Sequence, residues 1–91
     1  MLKITVEIEG KRATLELAGR LAGPWVDELR DSWQRAERDG RQIGVVLKQV
    51  TFIDAAGRQL LAEMRRRGAG LTAEGCMTKA IVEEIIRGEK P

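Results

Sequence analysis

The chain has 91 residues, of which 43% are hydrophobic and 33% are charged. This balance is typical of one globular domain spanning residues 1–91, and it argues against a disordered segment. The net charge is only +2, with both signs interspersed, so we expect no nucleic-acid partner. Because histidine is absent, we also expect no zinc site and no histidine-based catalytic pair. We therefore expect neither a cofactor nor an enzyme activity.

The single cysteine, Cys76, has no second cysteine with which to form an internal disulfide, which favours a reducing compartment. With no base partner in view, Cys76 is interpreted as a small buried hydrophobic residue. No apolar run approaches the ~18 residues that cross a bilayer. Residues 1–10 alternate in polarity, unlike a signal peptide. We expect a soluble cytoplasmic protein that does not insert directly into a membrane.

The chain opens with two strands. Ile4, Val6 and Ile8 alternate with polar residues, which predicts a strand with one buried face and one wet face. A second alternation covers residues 13–17. The short connection at Gly10–Lys11 predicts an antiparallel hairpin.

An amphipathic helix follows, starting near Pro24 and ending at Gly40. Proline is tolerated in a first helical turn, and glycine is favoured just past a helix end. Trp25 and Trp33 lie at helical spacing with other apolar residues, so we expect both in the core or at its edge.

The apolar run over residues 43–47 predicts a central strand, and the chain continues in the same direction to Asp54. A second helix follows, with an apolar face made by Ala56, Leu60, Leu61 and Met64. The basic run Arg65–Arg67, before Gly68, is interpreted as the solvated end of this helix. A contact with phosphate or an acidic partner is the alternative interpretation of that run.

Leu71 and Ala73 predict a short strand, and Thr78 is the expected N-cap of a last helix. That helix turns apolar residues inward: Ile81, Val82, Ile85 and Ile86. The predicted fold is α/β, with a four-stranded mixed sheet formed by an antiparallel hairpin and then parallel strands. Right-handed crossovers between strands in chain order place all three helices on one side of the sheet.

Three segments, Val45–Gly57, Leu17–Leu21 and Arg67–Ala69, together resemble the STAS family (sulphate transporter and anti-sigma factor antagonist). Val45–Gly57 resembles the central signature, in which a buried strand ends in Asp and is followed by two small residues and Gly. Leu17–Leu21 resembles the second strand and its Leu-Gly-Arg-Leu turn, and Arg67–Ala69 fits the approach to the next strand. The resemblance covers nearly the whole chain and implies a STAS-like fold and a protein-binding role.

The chain departs from the family pattern at the turn after the central strand. Family members that antagonise anti-sigma factors carry there a serine or threonine, which a partner kinase phosphorylates to release the complex. Here the two positions are Ala55 and Ala56, so we expect no phosphoacceptor. Val46 and Lys48 also stand where Asp and a small polar residue are common, and longer members continue with another strand and helix.

The turn itself predicts a contact surface for a partner. The Asp54 carboxylate is expected to cap the following helix by accepting hydrogen bonds from the free N–H groups of that helix. Ala55 and Ala56 leave the first turn open. Gly57 allows another backbone to come close, and Arg58 follows on the same turn. The predicted partner-binding residues are therefore Asp54, Ala55, Ala56, Gly57 and Arg58. A plain helix cap with no partner is the simpler alternative.

Three functions remain open at this point. The resemblance favours a module that binds an anti-sigma factor or a kinase-like regulator. Short STAS proteins also serve as accessory subunits of lipid-type ABC transport complexes, which is the second possibility. A sensory domain that binds a small phosphate-bearing ligand at the helix start at Ala55 is the third. No glycine-rich phosphate loop supports the third possibility, because Gly68–Gly70 precedes a strand.

Overall fold

The computed structural model describes residues 1–88, apart from the side chains of residues 76 and 77. The predicted burial of Cys76 therefore lies outside the described part. Seven elements follow one another along the chain: β1 (Leu2–Glu9), β2 (Arg12–Leu21), α1 (Pro24–Arg38), β3 (Gln42–Ile53), α2 (Ala55–Arg66), β4 (Gly70–Ala73) and α3 (Cys76–Gly88).

The four strands form one sheet in the order β1-β2-β3-β4. β1 and β2 form an antiparallel hairpin, whereas β2 with β3 and β3 with β4 are parallel. Each parallel pair is joined through one helix, because parallel neighbours need a crossover connection. The predicted order of elements and the mixed α/β sheet are confirmed.

The core lies between one face of the sheet and the three helices. Alternate residues of the two central strands are buried, including Leu15 and Leu17 of β2 and Val45 and Leu47 of β3. α1 packs on β2 and β3, α2 on β3 and β4, and α3 on β3 and β4. Trp33 is almost fully buried and Trp25 lies at the edge of the core, as predicted.

The opposite face of the sheet carries the intervening polar residues. Thr14 and Glu16 of β2 are half-buried on this side, and Lys48 of β3 lies 3.7 Å from Glu16 in an ion pair. The two faces thus differ in polarity along the same strands, as period-two alternation requires. The one-sided layering follows from this difference.

The prediction that the apolar face of β1 is buried is wrong for two of its three residues. Ile4, Val6 and Ile8 do share the face that carries Leu17, Leu15 and Ala13 of β2, since these are their cross-strand partners. However, 46% of Val6 and 54% of Ile8 are exposed. β1 is an edge strand, and α1 packs on β2 and β3 instead.

The predicted N-cap of the last helix is also wrong. α3 begins at Cys76, so Thr78 lies inside its first turn. Thr78 is buried, and its hydroxyl donates to the backbone carbonyl of Val50, 3.3 Å away on β3. The side chain therefore fastens α3 to the sheet.

The Arg65–Arg67 run forms the end of α2, in agreement with its interpretation as a helix end. Arg65 and Arg66 occupy the last turn, and Arg67 is the C-cap residue. The guanidinium of Arg67 donates from Nε and Nη2 to the Glu37 carboxylate of α1, at 2.8 and 2.9 Å. These hydrogen bonds and the charge of Glu37 raise the pKa of Arg67. Arg67 thus joins the ends of α1 and α2.

Candidate functional site

The candidate site lies where β3 ends and α2 begins. Ile53, the last residue of β3, points into the core, and Asp54 follows in an extended conformation as the N-cap of α2. The Asp54 amide donates to the Leu21 carbonyl at 3.1 Å, which continues the pairing of β3 with β2 by one more residue. The sheet therefore sets the position of Asp54 before the helix starts.

The Asp54 carboxylate joins the first turns of two helices. Its Oδ1 accepts from the Gly57 amide of α2 at 2.7 Å, and its Oδ2 accepts from the Gly23 amide at 3.0 Å. Gly23 is the N-cap residue of α1. Hydrogen bonds from Gly23 and then Gly57 favour the ionised form and lower the pKa of Asp54. The predicted cap is confirmed, and it holds α1 as well as α2.

Gly57 is buried, and the backbone that approaches it belongs to the chain itself. A Cβ at this position would lie 2.9 Å from the Leu21 carbonyl oxygen and 3.0 Å from side-chain atoms of Ile53 and Leu21. The first turn of α2 therefore packs directly on the ends of β2 and β3. Gly57 does let another backbone come close, as expected, and that backbone is the end of β2 in the same chain.

The remaining predicted residues are accessible. Ala55 and Ala56 are exposed in the first turn of α2, and Arg58 is exposed one residue beyond Gly57. The prediction that Ala56 shares the inner face of α2 is wrong, because Gly57 takes that place beside Leu60, Leu61 and Met64. Arg58 forms an ion pair with Glu84 of α3, which links the two helices beside the site. Of the five predicted residues, three are exposed, Asp54 is half-buried and Gly57 is buried.

Sequence reasoning missed an aromatic residue beside this turn. Phe52 is 46% exposed, and the guanidinium carbon of Arg20 lies 4.9 Å from the centre of its ring. Arg20 and Phe52 are register partners on β2 and β3, one position before the buried pair of Leu21 and Ile53. The alternation of β3 contains this signal, since an inward Ile53 places Phe52 outward.

The chemistry of the turn suits contact better than proton transfer. Both carboxylate oxygens of Asp54 already accept hydrogen bonds, and its lowered pKa keeps it ionised at neutral pH. Among the side chains that the structure describes, which exclude Cys76, no three of His, Cys, Asp or Glu form a group that could hold a metal ion. The helices described here are also too short or too polar to cross a membrane. What the site offers is an exposed first helical turn, Ala55, Ala56 and Arg58, preceded along the chain by the exposed Phe52 with Arg20 over its ring.

The sequence matches no protein-family model and no curated protein. Its structure is similar to several solved structures, among them the following two. A crystal structure of an anti-sigma factor antagonist from Mycobacterium paratuberculosis matches with a TM-score of 0.81 and 17% identity, over 100% of this chain and 84% of that one. A crystal structure of Mglu matches with a TM-score of 0.64 and 30% identity, over 79% of this chain and 19% of that one. The chain therefore has the fold of an anti-sigma factor antagonist, with four mixed strands and three helices.

Proposed function

We propose that this chain is a non-catalytic protein-interaction module of the anti-sigma factor antagonist type. Its contact surface is the first turn of α2, formed by Ala55, Ala56 and Arg58 around the Asp54 cap. Phe52 extends that surface on the β3 side. The proposed partner is an anti-sigma factor or a kinase-like regulator.

The observation that carries the proposal is that the capped and packed start of α2 presents short, exposed side chains, Ala55 and Ala56. The first turn of α2 is held by the Asp54 cap and by the packing of Gly57 on Leu21. A surface that is already ordered loses little conformational freedom when a partner binds. Ala55 and Ala56 are short, so a partner can approach the helix closely. The similarity in fold to an anti-sigma factor antagonist supports the same interpretation.

The small-ligand alternative is less well supported by the geometry. A phosphate at a helix N terminus needs free amides and no competing negative charge. Here the Gly57 amide already donates to Asp54, whose ionised carboxylate would repel an anion. The alternative of an accessory subunit in a lipid-type ABC transport complex uses the same protein-binding surface. Identification of the captured partner separates it from the regulatory role.

We predict that binding is not switched by phosphorylation at this turn. Residues 54–57 are Asp, Ala, Ala and Gly, none of which carries a hydroxyl group. Incubation with the cognate kinase, followed by mass mapping, should find no phosphate in this segment. The nearest hydroxyl along the chain is that of Thr51, which donates to the Gly19 carbonyl at 3.4 Å. Loss of partner binding on phosphorylation of Thr51 would overturn the broader claim that phosphorylation does not switch this module.

We predict that Ala56→Glu keeps the fold and weakens partner binding at least about ten-fold. The reason is that the new carboxylate would be buried against the partner without an opposite charge to pair with. Ala56 is exposed, and an acidic group is favoured near a helix N terminus, so folding is tolerated. The added carboxylate crowds and charges the contact surface. Pull-down with mass spectrometry identifies the partner, and calorimetry on the purified pair then measures the affinity alongside melting curves.

Gln34→Glu provides the matched control, because it adds the same charge at an exposed position in the C-terminal half of α1. It should bind the partner as tightly as the parent does. Ala56→Ser, which adds a small neutral group, should have little effect. A folded Ala56→Glu variant with the parent's affinity would show that the interface lies elsewhere.

A further inference from the structure

The free edge of β1 lacks three of the features that usually prevent one sheet from pairing with another, namely shortness, a bulge and proline. It does carry charged side chains, Lys3, Glu7 and Glu9, all on the polar face of the strand. β1 is eight residues long, pairs with β2 in continuous register without a bulge, and contains no proline. Edge strands are normally protected by shortness, bulges, proline or inward-pointing charges. The other edge strand, β4, has only four residues. β1 is therefore the exposed edge best suited to accept another strand.

The backbone groups at this edge belong to the even-numbered residues of β1. The Arg20 amide donates to the Met1 carbonyl at 2.9 Å, which marks residues 1 and 20 as a hydrogen-bonded pair of the β1–β2 ladder. Such pairs alternate along an antiparallel ladder. Ile4, Val6 and Ile8 consequently direct their N–H and C=O groups away from β2. No other strand within residues 1–88 pairs with them.

The side chains at this edge leave an open apolar groove on the helix side. Val6 and Ile8 form one wall, and α1 forms the other. The groove has a volume of about 300 Å³ and is lined by Val6, Ile8, Ser32, Arg35, Ala36 and Asp39. Apolar side chains exposed beside unpaired backbone groups favour strand addition.

The sequence of β1 is complementary to itself, and we propose that two copies of this chain associate by antiparallel pairing of their β1 strands, centred on Val6. In this register Val6 meets Val6, and Ile4 meets Ile8 of the second copy. On the polar face, Lys3 meets Glu9 of the second copy, so the two-fold axis creates two opposite-charge pairs. The even-numbered residues then form the hydrogen-bonded pairs, as their free backbone groups require.

Neighbouring registers fit less well. A one-residue slip places apolar residues opposite polar ones and mismatches the two faces. Centring on Glu7 sets that carboxylate against its own copy, which is destabilising. Centring on Thr5 places Leu2 opposite Ile8 of the second copy. Because Leu2 is already buried, this pairing covers little additional apolar surface. The Val6-centred pairing gives one eight-stranded sheet with both helix layers on the same side, and it encloses Val6 and Ile8 between the two α1 helices.

Sedimentation velocity over about 10 μM to 1 mM protein, a range suited to a small interface, tests the pairing. We expect a concentration-dependent dimer of the full chain. Lys3→Glu should raise its dissociation constant about ten-fold or more, because it replaces two attractive pairs with two repulsive ones. Combining Lys3→Glu with Glu9→Lys should restore dimerisation. Combining it with Glu7→Lys should not, because Glu7 lies opposite Thr5 of the second copy.

Amide hydrogen exchange locates the interface independently of these variants. The amides of Ile4, Val6 and Ile8 should exchange more slowly as the protein concentration rises, whereas those of Thr5 and Glu7, already bonded to β2, should not change. A monomer throughout the range, or a dimer indifferent to Lys3→Glu, would overturn the proposal. Rescue by Glu7→Lys would overturn the register. Melting curves verify that each variant is folded, since Glu9 also faces Arg12 within the hairpin.

Discussion

Substituting Gly57 should destabilise the fold, by about 1–3 kcal/mol for Gly57→Ala and by more for Gly57→Val, as expected for overpacking. A Cβ here would lie 2.9 Å from the Leu21 carbonyl oxygen, which is fixed in the sheet and has little room to move. Helix propensity alone predicts the opposite sign, because alanine is favoured over glycine by about 1 kcal/mol inside a helix. Urea unfolding measures the free energy of unfolding directly.

Gly44→Ala is the matched control for this prediction. Gly44 lies within β3, and a Cβ built there meets no atom within 4 Å. Its substitution should change stability by less than about 0.5 kcal/mol, as is usual away from packed positions. If Gly57→Ala were as stable as the parent or more so, the close packing of α2 on β2 would not be a constraint on the fold.

Replacing Asp54 should loosen both helix starts at once. Asp54→Ala removes the acceptors for the Gly57 and Gly23 amides, and no other side chain bonds these amides in the structure described for residues 1–88. Asp54→Asn retains only one carbonyl oxygen and can therefore accept from one of the two amides. We expect thermal stability to fall in the order parent, Asn variant, Ala variant. Equal melting temperatures for the parent and Asp54→Ala would contradict the role assigned to this cap.

The same carboxylate makes stability depend on pH in a defined direction. The pKa of Asp54 is lowered below its ordinary value of 3.8 by the hydrogen bonds from Gly23 and Gly57. Its contribution is complete above that ordinary value, where the carboxylate is ionised in both the folded and unfolded states. It is lost as the pH falls through the lowered pKa of the folded state. Chemical unfolding between pH 6 and about 2.5 should therefore show a smaller acid-induced loss for Asp54→Asn than for the parent.

Much of the fold could be predicted because its signals are local. Alternation in β1 and β2 and helical spacing in α1 and α2 identify elements from neighbouring residues. Alternation shows which residues share a face, but not what covers that face. Burial of Val6 and Ile8 was therefore a wrong prediction, since their exposure depends on where α1 packs. The error at Thr78 has the same origin, because the bond that holds it is to Val50, 28 residues away.

At the candidate site too, local contacts could be predicted from the sequence and distant contacts could not. The bond from Gly57 to Asp54 spans three residues and belongs to a common helix-capping pattern, so it could be predicted. The bond from Gly23 spans 31 residues and requires β2 and β3 to be paired first. The packing of Leu21 against Gly57 depends on the same pairing. A glycine in the first turn of a helix indicates a close approach without identifying the group that approaches.

The strand order also bears on how the chain is made. Because the order β1-β2-β3-β4 follows the sequence, no later strand has to insert between two strands that are already paired. As the chain leaves the ribosome from its N terminus, the hairpin can form first, and each following helix and strand can add to an existing edge. Every intermediate length then exposes one growing edge, which the next segment covers. Synthesis and folding can thus proceed in the same direction, because most contacts of each new segment are with residues that have already been synthesised.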